Sequence, residues 1–338
     1  AETCRNRNAG VLSPVQLESI SQNYSVHECS IDHHCFNSKR DQLWAQKRVD
    51  GDLMLERIKK LDKIDYGIGV AVIDSGFDDK GSVEGLANKP KYIRNNEFSK
   101  IPDIDFGHHG TAVAGLIGGK DGIGLVPDSP IYIYNFYSEV NNDEQAGINA
   151  INDACNRGAS VINFSYYPKS GMAELFFSFN FIQSLKSRGC ILVISAGNDG
   201  RKKDLNYNKI DDGIINVLST NTFHYQSKFS NDGEIAAPGE FVYTLNSKEE
   251  NEYKQRISMT DEDCQGAVGV TGKMQSGTSF GAPIVTAITK QVDAILRAGP
   301  GYQNIPPYKR VELITTIINS SSVNGIVNGL RAVEMTIA

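Results

Sequence analysis

The chain has 338 residues, of which 40% are hydrophobic and 22% charged, and its net charge is -6. That balance is globular, and the absence of a long basic run argues against nucleic acid as a partner. No apolar run approaches the roughly 18 residues needed to cross a bilayer.

The chain starts at Ala1 without methionine, which we read as a processed or trimmed product. Residues 1 to 40 are polar and irregular, with one short helical stretch at Pro14–Ser21. They hold Cys4, Cys29 and Cys35; the other cysteines are Cys155, Cys190 and Cys264. An even count, clustered where no core can form, points to disulfides and an oxidising compartment. The expected location is therefore secreted, or periplasmic and cell-envelope. Cys155 and Cys190 flank apolar segments and are either a pair or two buried thiols. A metal site at Cys4, Cys29, His33, His34 and Cys35 lacks the paired spacing of zinc ligands. Residues 1–40 read as a Cys-rich extension and 41–338 as the main domain.

Helical spacing runs from Asp41 to Leu61, with Leu43, Trp44, Leu53, Leu55 and Ile58 inward. Then strands and helices alternate. Gly69–Ile73, Ile131–Phe136, Ser160–Phe164, Cys190–Ser195 and Ile214–Leu218 read as short buried strands. Gly110–Gly118, Asp143–Arg157 and Met172–Arg188 read as helices. This order predicts an α/β fold with a mostly parallel sheet covered on both faces. Asn246–Cys264 is polar and aperiodic and reads as a long surface loop. At Gln275 a glycine-containing turn leads into a helix whose apolar positions are Ile284, Val285, Ile288, Val292 and Ile295.

In such folds chemistry gathers beyond the carboxyl ends of the strands. Asp74 follows the first strand, Asn198 follows Cys190–Ser195, His109 opens the glycine-rich helix, and Ser279 sits where the last helix begins. A serine hydroxyl is a weak nucleophile unless a base takes its proton. His109 is the candidate base, Asp74 its orienting partner, and Asn198 a donor to a developing oxyanion. Each also has a plainer role. Ser279 is a natural N-cap, Asp74 a loop cap, Asn198 a turn residue, and the adjacent His108 competes with His109.

The local contexts are more specific. Val72-Ile73-Asp74-Ser75-Gly76, His109-Gly110-Thr111-Ala112-Val113-Ala114-Gly115, Ser195-Ala196-Gly197-Asn198 and Ser276-Gly277-Thr278-Ser279-Phe280-Gly281-Ala282-Pro283 appear in that order. Together they resemble the motifs of the subtilisin-like serine peptidases, the subtilase family. The resemblance extends over about residues 40 to 338, including Gly122–Pro127, Ala236–Gly239 and Gly325–Val333. It implies a three-layer fold with a mostly parallel central sheet flanked by helices. It also implies a serine endopeptidase acting through an acyl-enzyme, with protein or peptide substrates. The resemblance places Ser165, Tyr166, Tyr167, Ala196 and Gly197 around the substrate.

The chain departs from the family in five places. Ala112 replaces a second histidine, and His108 replaces glycine. Phe280 is bulky beside Ser279. Tyr167-Pro168 breaks the substrate-binding strand, since proline donates no ladder bond. The segment between Gly115 and Pro127 is too short for the family's usual calcium loop. No cofactor is expected to be required, and calcium stays open at Asp211-Asp212 or Asp261-Glu262-Asp263. A catalytically silent or latent scaffold with a binding role is the alternative, and a propeptide or inhibitor is a conceivable partner.

Overall fold

The computed structural model describes residues 42–99, 101–105, 108–137, 143–167, 178–201, 212–247 and 272–338. Outside them lie residues 1–40 with three of the cysteines, Cys264, Pro168, the helical start expected at Met172, Asp211, Asp261-Glu262-Asp263 and most of the loop expected at Asn246–Cys264. The described residues from Leu43 onward form one compact unit.

In chain order the elements are α1 (Trp44–Arg48), α2 (Gly51–Ile58), β1 (Val70–Asp74), α3 (Asp79–Ser82) and β2 (Lys91–Tyr92). Next come α4 (Gly110–Gly118), β3 (Ile131–Asn135), α5 (Glu144–Asn156), β4 (Val161–Phe164), α6 (Phe179–Arg188) and β5 (Ile191–Ser195). The chain continues with β6 (Ile214–Thr220), β7 (Ile235–Pro238), β8 (Val242–Leu245), β9 (Gly272–Gln275) and α7 (Thr278–Ala298), and closes with α8 (Pro307–Ser321) and α9 (Gly329–Ile337).

β1 to β7 build one sheet in the order β2-β3-β1-β4-β5-β6-β7, with every pairing parallel. Both faces are buried, which is why the strands read as continuous apolar runs. Alternate residues of β1 serve different cores. Val70 and Val72 face a core shared with α1, α2, α4, α7, α8 and α9, while Ala71 and Ile73 face one shared with α5 and α6. The result is three layers, as expected. β8 and β9 pair antiparallel in a separate two-stranded sheet.

Two expectations need correction. The helix expected over Asp41–Leu61 is two helices, parted at Asp50, whose φ of 52° is left-handed. The break shifts the helical register, so Met54 is buried and Leu53, expected inward, is 45% exposed. Asn246 and Ser247, expected to open a surface loop, are buried.

Smaller differences fall at element ends. Asp74 is the last residue of β1 rather than the first after it. α6 begins at Phe179, where the Ser178 hydroxyl caps it by accepting from the Phe181 N–H.

Cys155 on α5 and Cys190 before β5 form a disulfide, with a Cα–Cα distance of 5.9 Å. It pins the outer helix to the strand that leads to Asn198.

α7 runs 21 residues through the middle of the first core, and Ile284, Val285, Ile288 and Val292 are fully buried. Its buried polar residues all find partners. Thr286 Oγ1 donates to Asn163 Oδ1 at 2.9 Å, and Gln291 Nε2 donates to the Leu125 carbonyl at 2.8 Å. Such pairing is what lets a helix with polar residues lie in a core.

Candidate active site

Adjacent strands of the sheet set out the site along its carboxyl edge. Asp74 ends β1, Ser165 follows β4, and Asn198 lies three residues past β5. α4 and α7 deliver His109 and Ser279 to the same edge.

Asp74 is 2% exposed. Its Oδ1 accepts from the Ser75 N–H at 2.7 Å and lies 2.8 Å from His109 Nδ1. A buried carboxylate on Nδ1 fixes that nitrogen as the protonated one and leaves Nε2 as the basic one. His109 is the N-cap residue of α4. The glycine after it is required: a Cβ at Gly110 would overlap the Gly76 carbonyl oxygen. The close approach of the Asp74–Gly76 turn to α4 therefore rests on that glycine. His108 does not compete for Asp74. Its φ is 51°, and its Nδ1 lies 2.7 Å from the Oγ of Ser247, two residues past β8.

Ser279 is not an N-cap. Gly277 holds that position at φ 154°, and Ser279 is the second residue of α7. The turn is braced from outside, because the Gly277 N–H donates to the Gly239 carbonyl at 2.7 Å and Ser276 Oγ accepts from the Phe241 N–H at 2.8 Å. Ser279 Oγ donates to the Ser165 carbonyl at 3.2 Å, long for a hydroxyl bond. The ring of the neighbouring Phe280 lies 5.4 Å from the His109 ring, centroid to centroid, at 48°. Phe280 thus packs against the imidazole, a contact not anticipated from its bulk.

Asn198 is exposed, but one end of its amide is fixed. Oδ1 accepts from the Thr278 N–H and from Thr278 Oγ1, both at 2.9 Å. Two donors identify that atom as the oxygen, so Nδ2 faces away from Thr278.

The residues expected around a substrate divide into two kinds. Ser165 touches Ser279, as described. Ala196 and Gly197 have no main-chain group left over. The Ala196 N–H donates to Val217 and the Gly197 N–H to Thr278 Oγ1, while Asn231 donates to both carbonyls. Tyr166 is anchored inward, its hydroxyl on Glu144 Oε1 at 2.7 Å and its ring against Phe136 and Phe164. Tyr167 lies against Gly197.

Two residues near the site, Asp105 and Tyr137, escaped the sequence reading, and Ser75 was read only as part of the Asp74 motif. Asp105 and Ser75 hydrogen-bond to each other and to the start of α4. Tyr137 has its phenol pushed up by burial, and further by Asp74, Tyr166 and Asp105. Among the described residues no three His, Cys, Asp or Glu side chains gather as a metal site needs.

The subtilase family model matches residues 65–329. The chain belongs to the subtilase family. This subtilase is 30% identical over 182 residues to the minor extracellular protease Epr of Bacillus subtilis, covering 51% of the chain and 27% of that protein. It is 31% identical over 192 residues to the major intracellular serine protease of the same organism, covering 52% and 59%. Subtilisin-like protease 2 of Trichophyton tonsurans is 26% identical over 266 residues, covering 70% and 59%. The chain thus spans less than two thirds of these relatives.

Among solved structures, a lanthipeptide protease superposes with a TM-score of 0.66 at 21% identity, over 88% of this chain and 96% of the other. The epidermin leader peptide processing protease of Staphylococcus aureus gives 0.62 at 19%, over 91% and 84%. These likenesses confirm the subtilase fold. No helix among the described residues is long and apolar enough to span a membrane.

Proposed function

We propose that this subtilase is a serine endopeptidase acting on protein or peptide substrates. Ser279 Oγ attacks the scissile carbonyl carbon while His109 Nε2 takes its proton. The resulting imidazolium, steadied by Asp74, returns that proton to the leaving amine, and water then hydrolyses the acyl-enzyme. Asn198 Nδ2 donates to the oxyanion. No cofactor enters these steps. The observation that carries this reading is the 2.8 Å approach of buried Asp74 to His109 Nδ1. It leaves the basic nitrogen for a nucleophile.

Ser165 has a second part in the reading. A peptide that pairs with the chain there as an added strand donates an N–H to a carbonyl. If that carbonyl is Ser165's, docking displaces the long bond from Ser279 Oγ, and the hydroxyl turns to His109. The extracellular name of one relative and the disulfide favour a secreted or cell-envelope setting. The test is digestion of a peptide library read by mass spectrometry. Wild type should cut internal bonds, and Ser279→Ala should cut none. Equal cutting by both would defeat the proposal.

A further inference from the structure

Asp105 is 3% exposed, and both of its carboxylate oxygens are engaged. Oδ1 accepts from Ser75 Oγ at 2.6 Å and from the His109 backbone N–H at 3.3 Å, and Oδ2 accepts from the Thr111 N–H at 2.8 Å. Ser75 Oγ accepts in turn from the Gly110 N–H at 2.9 Å. The N–H groups of 109, 110 and 111 therefore all end on Asp105, directly or through Ser75. A buried carboxylate is costly in isolation. The partial positive charge of a helix start and these donors offset that cost.

The network goes beyond a cap. The N–H of the same Ser75 donates to Asp74 Oδ1 at 2.7 Å. Asp105 thus anchors both ends of the Asp74–His109 hydrogen bond, one through Ser75 and the other through the start of α4. We propose that Asp105 is a positioning residue for the reaction, holding base and orienting carboxylate in register and favouring the imidazolium that forms during it.

Other titratable groups among the described residues lie near this spot. Asp74 lies one serine away, and His108 precedes the base. Asp78 donates its backbone N–H to Thr111 Oγ1 at 2.9 Å, and Tyr137 is held un-ionised by burial and the neighbouring carboxylates. The cations that can form among these described residues are the imidazoliums of His108 and His109. The inference rests on the reading of His109 as base.

The test titrates active sites with an organophosphonate, then measures kcat and KM against pH on one peptide. Asp105→Asn should lower kcat per titrated site about tenfold to a hundredfold with KM nearly unchanged. Its acid limb in kcat/KM should move to lower pH, because the imidazolium loses a negative neighbour. Asp105→Glu keeps the charge but not the two-oxygen fork, so it should lose kcat and keep the acid limb. Ser75→Ala cuts only the link to Asp74 and should also lower kcat per titrated site. It stands in if Asp105→Asn does not fold. Wild-type kcat per titrated site with an unmoved acid limb in Asp105→Asn, or wild-type kcat in Ser75→Ala, overturns the inference. A wild type that neither titrates nor cleaves defeats the catalytic reading itself, a result distinct from failure confined to the variants.

Discussion

Ser165 and Ser279 exchange hydroxyl hydrogen bonds: Ser165 Oγ donates to the Ser279 carbonyl at 2.9 Å, and Ser279 Oγ donates to the Ser165 carbonyl at 3.2 Å. The reason lies four residues further on. Pro283 sits inside α7 and has no N–H, so the Ser279 carbonyl lacks the donor an unbroken helix would supply. Ser165 fills the gap, and Asn163 Nδ2 steadies it by donating to Ser165 Oγ at 3.0 Å. A helix-breaking residue thereby ties the candidate nucleophile to the strand end where a peptide would dock.

Ser165→Ala should therefore orphan a carbonyl and cost about 1–3 kcal/mol in urea unfolding. Pro283→Ala restores a helical donor at 283. In that background the cost of Ser165→Ala should shrink, giving a coupling of about 0.5–3 kcal/mol in a double-mutant cycle. Strict additivity would mean the two residues do not share that carbonyl.

Asn198→Ala should lower kcat by about 10²–10³ with little change in KM. Asn198→Asp should fare no better. A carboxylate can still accept from Thr278 but offers no donor and sets a negative charge against the oxyanion. Loss of less than tenfold on removing the amide would take Asn198 out of the mechanism.

Lys290 and Asp293 form an ion pair at 2.7 Å with side chains 1% and 0% exposed, in the core below the site. Ser160 Oγ and Tyr302 Oη donate to the same carboxylate, at 2.5 and 2.8 Å. Burial alone would push Asp293 up, but Lys290 and these hydrogen bonds outweigh it and hold it below the ordinary 3.8. A depressed carboxylate stabilises the fold above its unfolded pKa, and that stability is lost as pH falls through the lower folded value. Lys290→Met leaves a buried charge unpaired and should cost about 3–5 kcal/mol. In Asp293→Asn, stability should fall less steeply below pH 3.8 than in wild type. Parallel acid profiles for the two proteins would contradict this account.

The Cys155–Cys190 bridge closes a sequence separation of 35 residues between α5 and β5. Replacing both cysteines by alanine should cost about 2–4 kcal/mol. Urea unfolding of both proteins without reductant measures it, and equal stability of the two would mean the bridge contributes nothing.

The four candidate catalytic residues were legible because each lies in a motif that also dictates its own backbone. Gly110 admits the Asp74 turn, and Gly277 supplies the conformation from which α7 starts. The sheet was legible too, since apolar runs such as Val70–Ile73 serve two cores at once. What escaped was nonlocal. Asp105 carries no local signal, because its partners, Ser75 and Thr111, are set by tertiary approach. Leu53 was misplaced because one left-handed residue, Asp50, reset the helical register, which hydrophobic spacing cannot reveal. Phe280, read only as bulk beside Ser279, packs against the His109 imidazole.

The central claim is that Ser279 is a nucleophile activated by His109. Incubation with an organophosphonate, followed by peptide mapping, tests it most directly. The account predicts one adduct, on Ser279, in the wild type and little or none in folded His109→Ala. An unlabelled Ser279 in folded wild type, or labelling undiminished without His109, would contradict it.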